Sequence, residues 1–119
     1  MVNYRITRFD ASNLECRVFE DDKIPHQLVH VPLHSPTGFN CGYLGSGPAD
    51  LALALLVHHL GEDPVAVMDI ARNKIGGESK ALRLHQNFKQ DIVAHISLTD
   101  GESYNLPDTC IGQWILNGV

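Results

Sequence analysis

Gly42-Tyr-Leu-Gly-Ser-Gly-Pro-Ala-Asp-Leu-Ala-Leu-Ala-Leu-Leu-Val57 passes from a glycine-rich turn into a segment with no polar face. At about 100° per residue, Leu51, Leu53, Leu55, Leu56 and Val57 surround a helix axis instead of striping one side of it. Such a helix has to be packed on most sides, so it is the expected centre of the core. Gly47-Pro48 reads as its N-cap and first-turn pair, because proline lacks the amide hydrogen that would have no partner there. Asp50 falls in the first turn, where a negative charge complements the helix dipole. His58 and His59 occupy the last turn, and Gly61 follows as the C-cap.

Upstream, Tyr4 to Phe9 and Leu14 to Phe19 alternate apolar with polar residues around the turn Asp10-Ala-Ser-Asn13, which predicts a β-hairpin. Ile24 to Val31 is read as a third strand, held to an edge or a short piece by Pro25 and Pro32. Residues 32 to 47 show no periodicity and read as a long loop, of the kind that is functional or pinned by its own packing. Downstream, Asp63-Pro64 opens a second helix reaching about Lys74. Glu78 to Ile96 carries one apolar stripe, Ala81, Leu84, Phe88, Ile92 and Ile96, and is read as one long amphipathic helix. Ser103 to Leu106 adds a strand, and Pro107 to Leu116 a last helix with Ile111, Trp114 and Ile115.

These 119 residues, 44% of them hydrophobic, make one domain over residues 1–119. Nine basic residues against fourteen acidic, a formal charge of −5, disfavour nucleic acid as a partner, since phosphate contacts need clustered Lys and Arg. Cys16, Cys41 and Cys110 form no CxxC pair, which sets aside a zinc ribbon or a disulfide framework and suits a reducing cytoplasm. The first residues carry no signal-peptide pattern, and Leu51 to Val57 is too short to span a bilayer, so no membrane role is expected.

Several groups of residues invite a chemical reading. The Gly42 to Gly47 turn before a helix suggests an anion cradle, but it lacks Gly-Lys-Ser/Thr, Pro48 removes a donor and Asp50 places a negative charge there. Ser46 lacks the flanking glycines of a nucleophile elbow, because Leu44 and Pro48 stand in those places, and is read as a turn hydroxyl. His26, His30 and His34, near Cys41, would stand about 13 Å apart along an extended strand, too far for one ion, so no metal site is assigned. His85 and His95 could supply acid and base, yet a hydrogen-bonded, half-buried histidine is the plainer reading. Arg72, Lys74, Lys80, Arg83 and Lys89 make a basic stretch that by default is a solvated helix face and otherwise a contact for an acidic partner or nucleic acid. Phe39 and Tyr43 either form a recognition surface or close the end of the core.

His34-Ser-Pro-Thr-Gly-Phe39, the segment from Gly42 to Leu56 and the later Phe88-Lys89 resemble a widespread family of small bacterial domains of unknown function with a GYGGSGPADLALA-like core. The resemblance spans His34 to Ile96 and is strongest from His34 to Leu60. It implies an origin on phages, plasmids or other mobile elements and carries over no catalytic residue. Cys41, where an aromatic is common, and Leu44, where glycine is common, depart from the pattern as a small and large pair that compensate in volume.

The expectation is therefore an α+β fold: an antiparallel sheet of three to four strands against two main helices and shorter ones. The expected function is a non-enzymatic protein-interaction module, with inhibition of a host defence complex, in the manner of anti-CRISPR proteins, as one concrete form. The alternative is a small-ligand, phosphate-binding or enzymatic module built on the Gly42 to Gly47 loop. Binding is assigned to Phe39, Tyr43, Ser46, Lys80 and Arg83, with a protein partner, no catalytic residue, no metal and no cofactor.

Overall fold

Alternation in the first twenty residues produces a hairpin because each second side chain can be buried on one face. In the computed structural model, which describes residues 1–118, β1 (Val2–Asp10) and β2 (Asn13–Glu20) pair antiparallel with Tyr4 opposite Val18 and Ile6 opposite Cys16. All four of these side chains are buried. The connecting turn is held by Asp10, whose carboxylate accepts from the Ser12 amide at 2.9 Å and the Asn13 side chain at 2.7 Å. On the other side of β1 lies β4 (Ser103–Pro107), which sets buried Leu106 beside Tyr4. The sheet has the order β3-β2-β1-β4 with every pair antiparallel, and with four helices it gives an α+β fold.

The edge strand β3 is only His26–Gln27. Expected over Ile24 to Val31, it is cut short on both sides, and Ile24 and Val29 project outward at 87% and 57% exposure. Pro25, which cannot donate to the ladder, sets its start.

α1 (Ser46–Leu60) is buried from Gly47 through Val57, as an all-round apolar helix must be. It shares one core with Tyr4, Ile6, Cys16 and Val18 of the sheet and with Ala81, Leu84 and Phe88 of α3 (Lys80–Asp91). Gly61, at φ 69°, ends it as expected and returns its amide to the His58 carbonyl. Its start corrects the sequence reading: the N-cap is Gly45, so Gly47-Pro48 lies inside the first turn and Asp50 is already the fifth helical residue. α2 (Pro64–Ala71) begins with the Asp63 cap and first-turn proline foreseen, but stops three residues early.

The long helix expected over Glu78 to Ile96 is shorter. Ser79 caps α3, which ends at Asp91, and Val93–His95 forms a single 3-10 turn. The Val93 carbonyl accepts both the Ile96 amide at 3.2 Å and the Gly42 amide at 3.1 Å, which joins the loop to this turn. α4 (Asp108–Gly118) closes the fold, with Trp114 edge-on to Phe88 at 4.9 Å between ring centres. No helix among the described residues is long and apolar enough to cross a membrane.

Two loop glycines are set by close approach. Gly42, at φ 85°, lies against the Ile96 carbonyl, and a methyl group on Gly47 would stand 2.7 Å from Asn40 Cβ and 3.1 Å from Asn40 N. Gly47→Ala is expected to lower unfolding stability in urea by roughly 1–3 kcal/mol, because Asn40 backbone would have to move. Gly76→Ala, which meets nothing within 4 Å, should change it by less than about 0.5 kcal/mol.

Candidate functional site

The loop before α1 is organised around a carboxylate inside the core. Asp50 is fully buried, and its oxygens accept from the His34 amide, the Ser35 amide and the His30 Nε2–H at 2.9, 2.9 and 2.8 Å. These bonds fasten residues 30–35 to the helix, so Asp50 is a tether and not the dipole-compensating residue read from the sequence. His30 also packs edge-on against Phe39, with ring centres 4.8 Å apart.

His34 reaches in the other direction, to His85 on α3, with 2.9 Å between their Nε2 atoms. The Leu82 carbonyl accepts the His85 Nδ1–H at 2.6 Å, so the neutral His85 ring offers Nε2 as acceptor and His34 donates. Burial, first among the causes, holds His85 below the usual histidine range; the Leu82 carbonyl and Asp50 oppose that shift, and His34 and Lys89 add to it. His85 is thus a hydrogen-bonded core histidine. His95 is exposed on the 3-10 turn, in no pair with it.

A second anchor is Arg8, buried at the end of β1. Its guanidinium donates to Asn40 Oδ1 at 2.7 Å, to the carbonyls of Asp10 and Ala11, and more weakly to Cys41. Asn40 Oδ1 also accepts the Cys41 amide at 2.9 Å. Above this base the loop turns outward: Tyr43 and Leu44 are 49% and 61% exposed. The Tyr43 ring covers Gly45 so closely that a methyl group there would meet it at 2.5 Å.

The five residues assigned to binding separate into two places. Phe39, half-buried against His30, and exposed Tyr43 lie in the loop, and exposed Ser46 opens α1 just beyond it. Lys80 and Arg83 are exposed on α3, bordering a cleft of about 640 Å³ to which Glu62 and Glu78 also contribute, so the basic stretch is interrupted by acids. Glu62 is committed to the start of α3, accepting from the Ser79 hydroxyl and the Ala81 amide.

The other end of α1 carries a cluster that sequence reading passed over. His58 Nδ1 lies 2.7 Å from the Tyr4 hydroxyl, and His58 Nε2 lies 3.0 Å from Glu20 Oε1. Tyr4 also reaches Asp108 Oδ1 at 3.4 Å, and Asp108 takes a bond from His59 Nδ1. Burial first, then the Asp108 charge, pushes the Tyr4 phenol far above its ordinary value, so it stays a hydroxyl. The Lys23 ammonium, 2.9 Å from Glu20 Oε2, holds the Glu20 carboxyl below its usual range. His26 on β3 completes the group: one donor atom each from Glu20, His26 and His58 falls within 4.8 Å of the others. The histidines at 26, 30 and 34, weighed together as ligands, therefore go to three different partners. Only the pair at 58 and 59 signalled this end of the molecule; Tyr4, Glu20, His26 and Asp108 come together by folding alone.

Residues 4–74 match a model described as a family of unknown function (DUF6166), and at more than half of the 119 residues the chain belongs to that family. The matched span runs from β1 through α2 and so takes in the loop, Asp50, Glu20, His26 and His58. No curated protein and no solved structure matches the chain.

Two measurements test this description. Asp50→Asn, equal in size, puts an amide nitrogen where only an acceptor fits and should destabilise the fold by roughly 2–3 kcal/mol in urea titration. For His85, whose folded pKa is depressed, the unfolded chain takes up the proton first as pH falls. Its contribution is complete above the unfolded value of about 6.5 and is lost as pH drops from there toward the folded value. The urea midpoint should therefore fall further between about pH 7.5 and pH 5.5 in the native chain than in His85→Gln.

Proposed function

We propose that this chain is a non-enzymatic protein-interaction module whose contact surface is centred on Tyr43 and Leu44. The observation that carries this reading is their exposure, 49% and 61%, on a loop whose base is fixed by Arg8, Asn40 and the Gly42 to Val93 bond. Aromatic and aliphatic side chains held on a rigid base lose little conformational freedom on binding and are common at interface centres. Phe9, 56% exposed at the end of β1, borders a separate cleft with Thr37, Gly38 and Phe39.

The alternative, a small ligand or phosphate held by the Gly42 to Gly47 loop, has less support. The room that Gly45 and Gly47 provide is taken by Tyr43 and Asn40, and Pro48 cannot donate. Ser46 is exposed, with no base hydrogen-bonded to it among the described residues. A mobile-element origin, an anti-CRISPR-like target in a host defence complex and a cytoplasmic location form the specific version of the proposal. Three free cysteines suit the last of these, the loop motif's resemblance suggests the first, and small size and acidic charge together with that origin motivate the second.

Pull-down from host lysate with the folded native chain should capture a specific partner. Tyr43→Ala should weaken its binding by about 2 kcal/mol, roughly thirtyfold, as an interface anchor does. Lys80→Glu/Arg83→Glu reports whether the α3 face contributes. A native chain that captures nothing, or a Tyr43→Ala variant that binds as well as native, would sink the proposal.

A further inference from the structure

We propose that Glu20, His26 and His58 form a binding site for a divalent first-row transition cation, with Zn2+ as the representative ion. Each ligand comes from a different element: the end of β2, the edge strand β3 and the last turn of α1. Their donor atoms lie within 4.8 Å of one another. Bond lengths of about 2.0–2.2 Å to nitrogen and oxygen around one ion require only a modest closing of that spacing. His26, exposed on a two-residue edge strand, is the ligand free to make the adjustment.

The surroundings of His58 resemble those of a metal-bound imidazole. Its Nδ1 is occupied by the Tyr4 hydroxyl, which leaves Nε2 pointing at Glu20. With a cation on Nε2, the ring proton resides on Nδ1 and donates to the Tyr4 oxygen. The Tyr4 hydroxyl hydrogen then turns to Asp108 Oδ1, 3.4 Å away. This chain ends on a carboxylate, the arrangement that commonly fixes the tautomer of a ligating histidine. Lys23 bonds Oε2 of Glu20 and leaves Oε1 for the ion.

The donor set selects the class of cation. Two imidazoles and one carboxylate suit Zn2+ and its neighbours, whereas Mg2+ and Ca2+ favour shells of oxygen. Three protein ligands leave a fourth position open to water or an added ligand. Leu28, Val29, Ala54 and Val57 line an apolar cleft of about 350 Å³ that His58 also borders.

Isothermal titration of the full chain with ZnCl2 should show one ion bound per chain and a thermal midpoint that rises with Zn2+, while MgCl2 gives neither. His26→Ala and Glu20→Gln alter a surface residue and a half-buried one, and circular dichroism verifies that both remain folded. Each should weaken Zn2+ binding by about tenfold or more, since even partners outside the coordination sphere change affinity about 10–100-fold. Long-range 15N NMR of the Zn2+-loaded native chain should place the His58 proton on Nδ1. Absence of Zn2+ binding to the native chain overturns the proposal. So does unchanged affinity in both folded variants, which would locate the ion elsewhere, for instance at exposed Cys110.

Discussion

A carboxylate with no access to water fixes the organisation of this protein. Asp50 lies in a helix that is buried from Gly47 through Val57, and an ion there is tolerable only with its hydrogen-bonding capacity filled. The His34 and Ser35 amides and the His30 ring fill it. The dependence is mutual. Without the loop, α1 would hold an unpaired buried charge; without Asp50, two amides of a segment that makes no strand or helix would lose their acceptor. The Asp50 bonds therefore make α1 and the loop fold as one unit, and His34 extends that unit to α3.

The same logic explains Arg8, a buried cation whose contacts are carbonyls, the Asn40 amide oxygen and Cys41. Its guanidinium supplies several donors in a fixed plane, which lets one side chain collect the hairpin end and the loop base together. By contrast, the ion pair of Lys23 with Glu20 leaves the ammonium 69% exposed, and such pairs contribute little to stability. Buried polar groups determine where the loop goes, and the apolar core supplies most of the stability.

α1 thus presents different chemistry at its two ends. Its start is dressed by the loop, whose polar groups face inward and whose Tyr43 and Leu44 face out. Its finish brings His58 and His59 to Tyr4, Glu20 and Asp108, where polar groups meet in a partly exposed cluster. The exposed apolar residues and the polar cluster are consequently separated by the length of one helix.

Local pattern was enough for the hairpin, the burial of Leu51 to Val57, the Gly61 stop and the Asp63-Pro64 start, because each depends on neighbours within a few residues. Local pattern misjudged the end of α3, where a 3-10 turn bonded to Gly42, distant in sequence, replaces the last helical turns. It misread Asp50 for the same reason: a first-turn acid and a buried tether have the same sequence appearance, and the His34 and Ser35 amides distinguish them. The meeting of Glu20, His26 and His58 was decided by tertiary structure alone. Sheet pairing and helix docking set those distances, and no spacing along the chain encodes them.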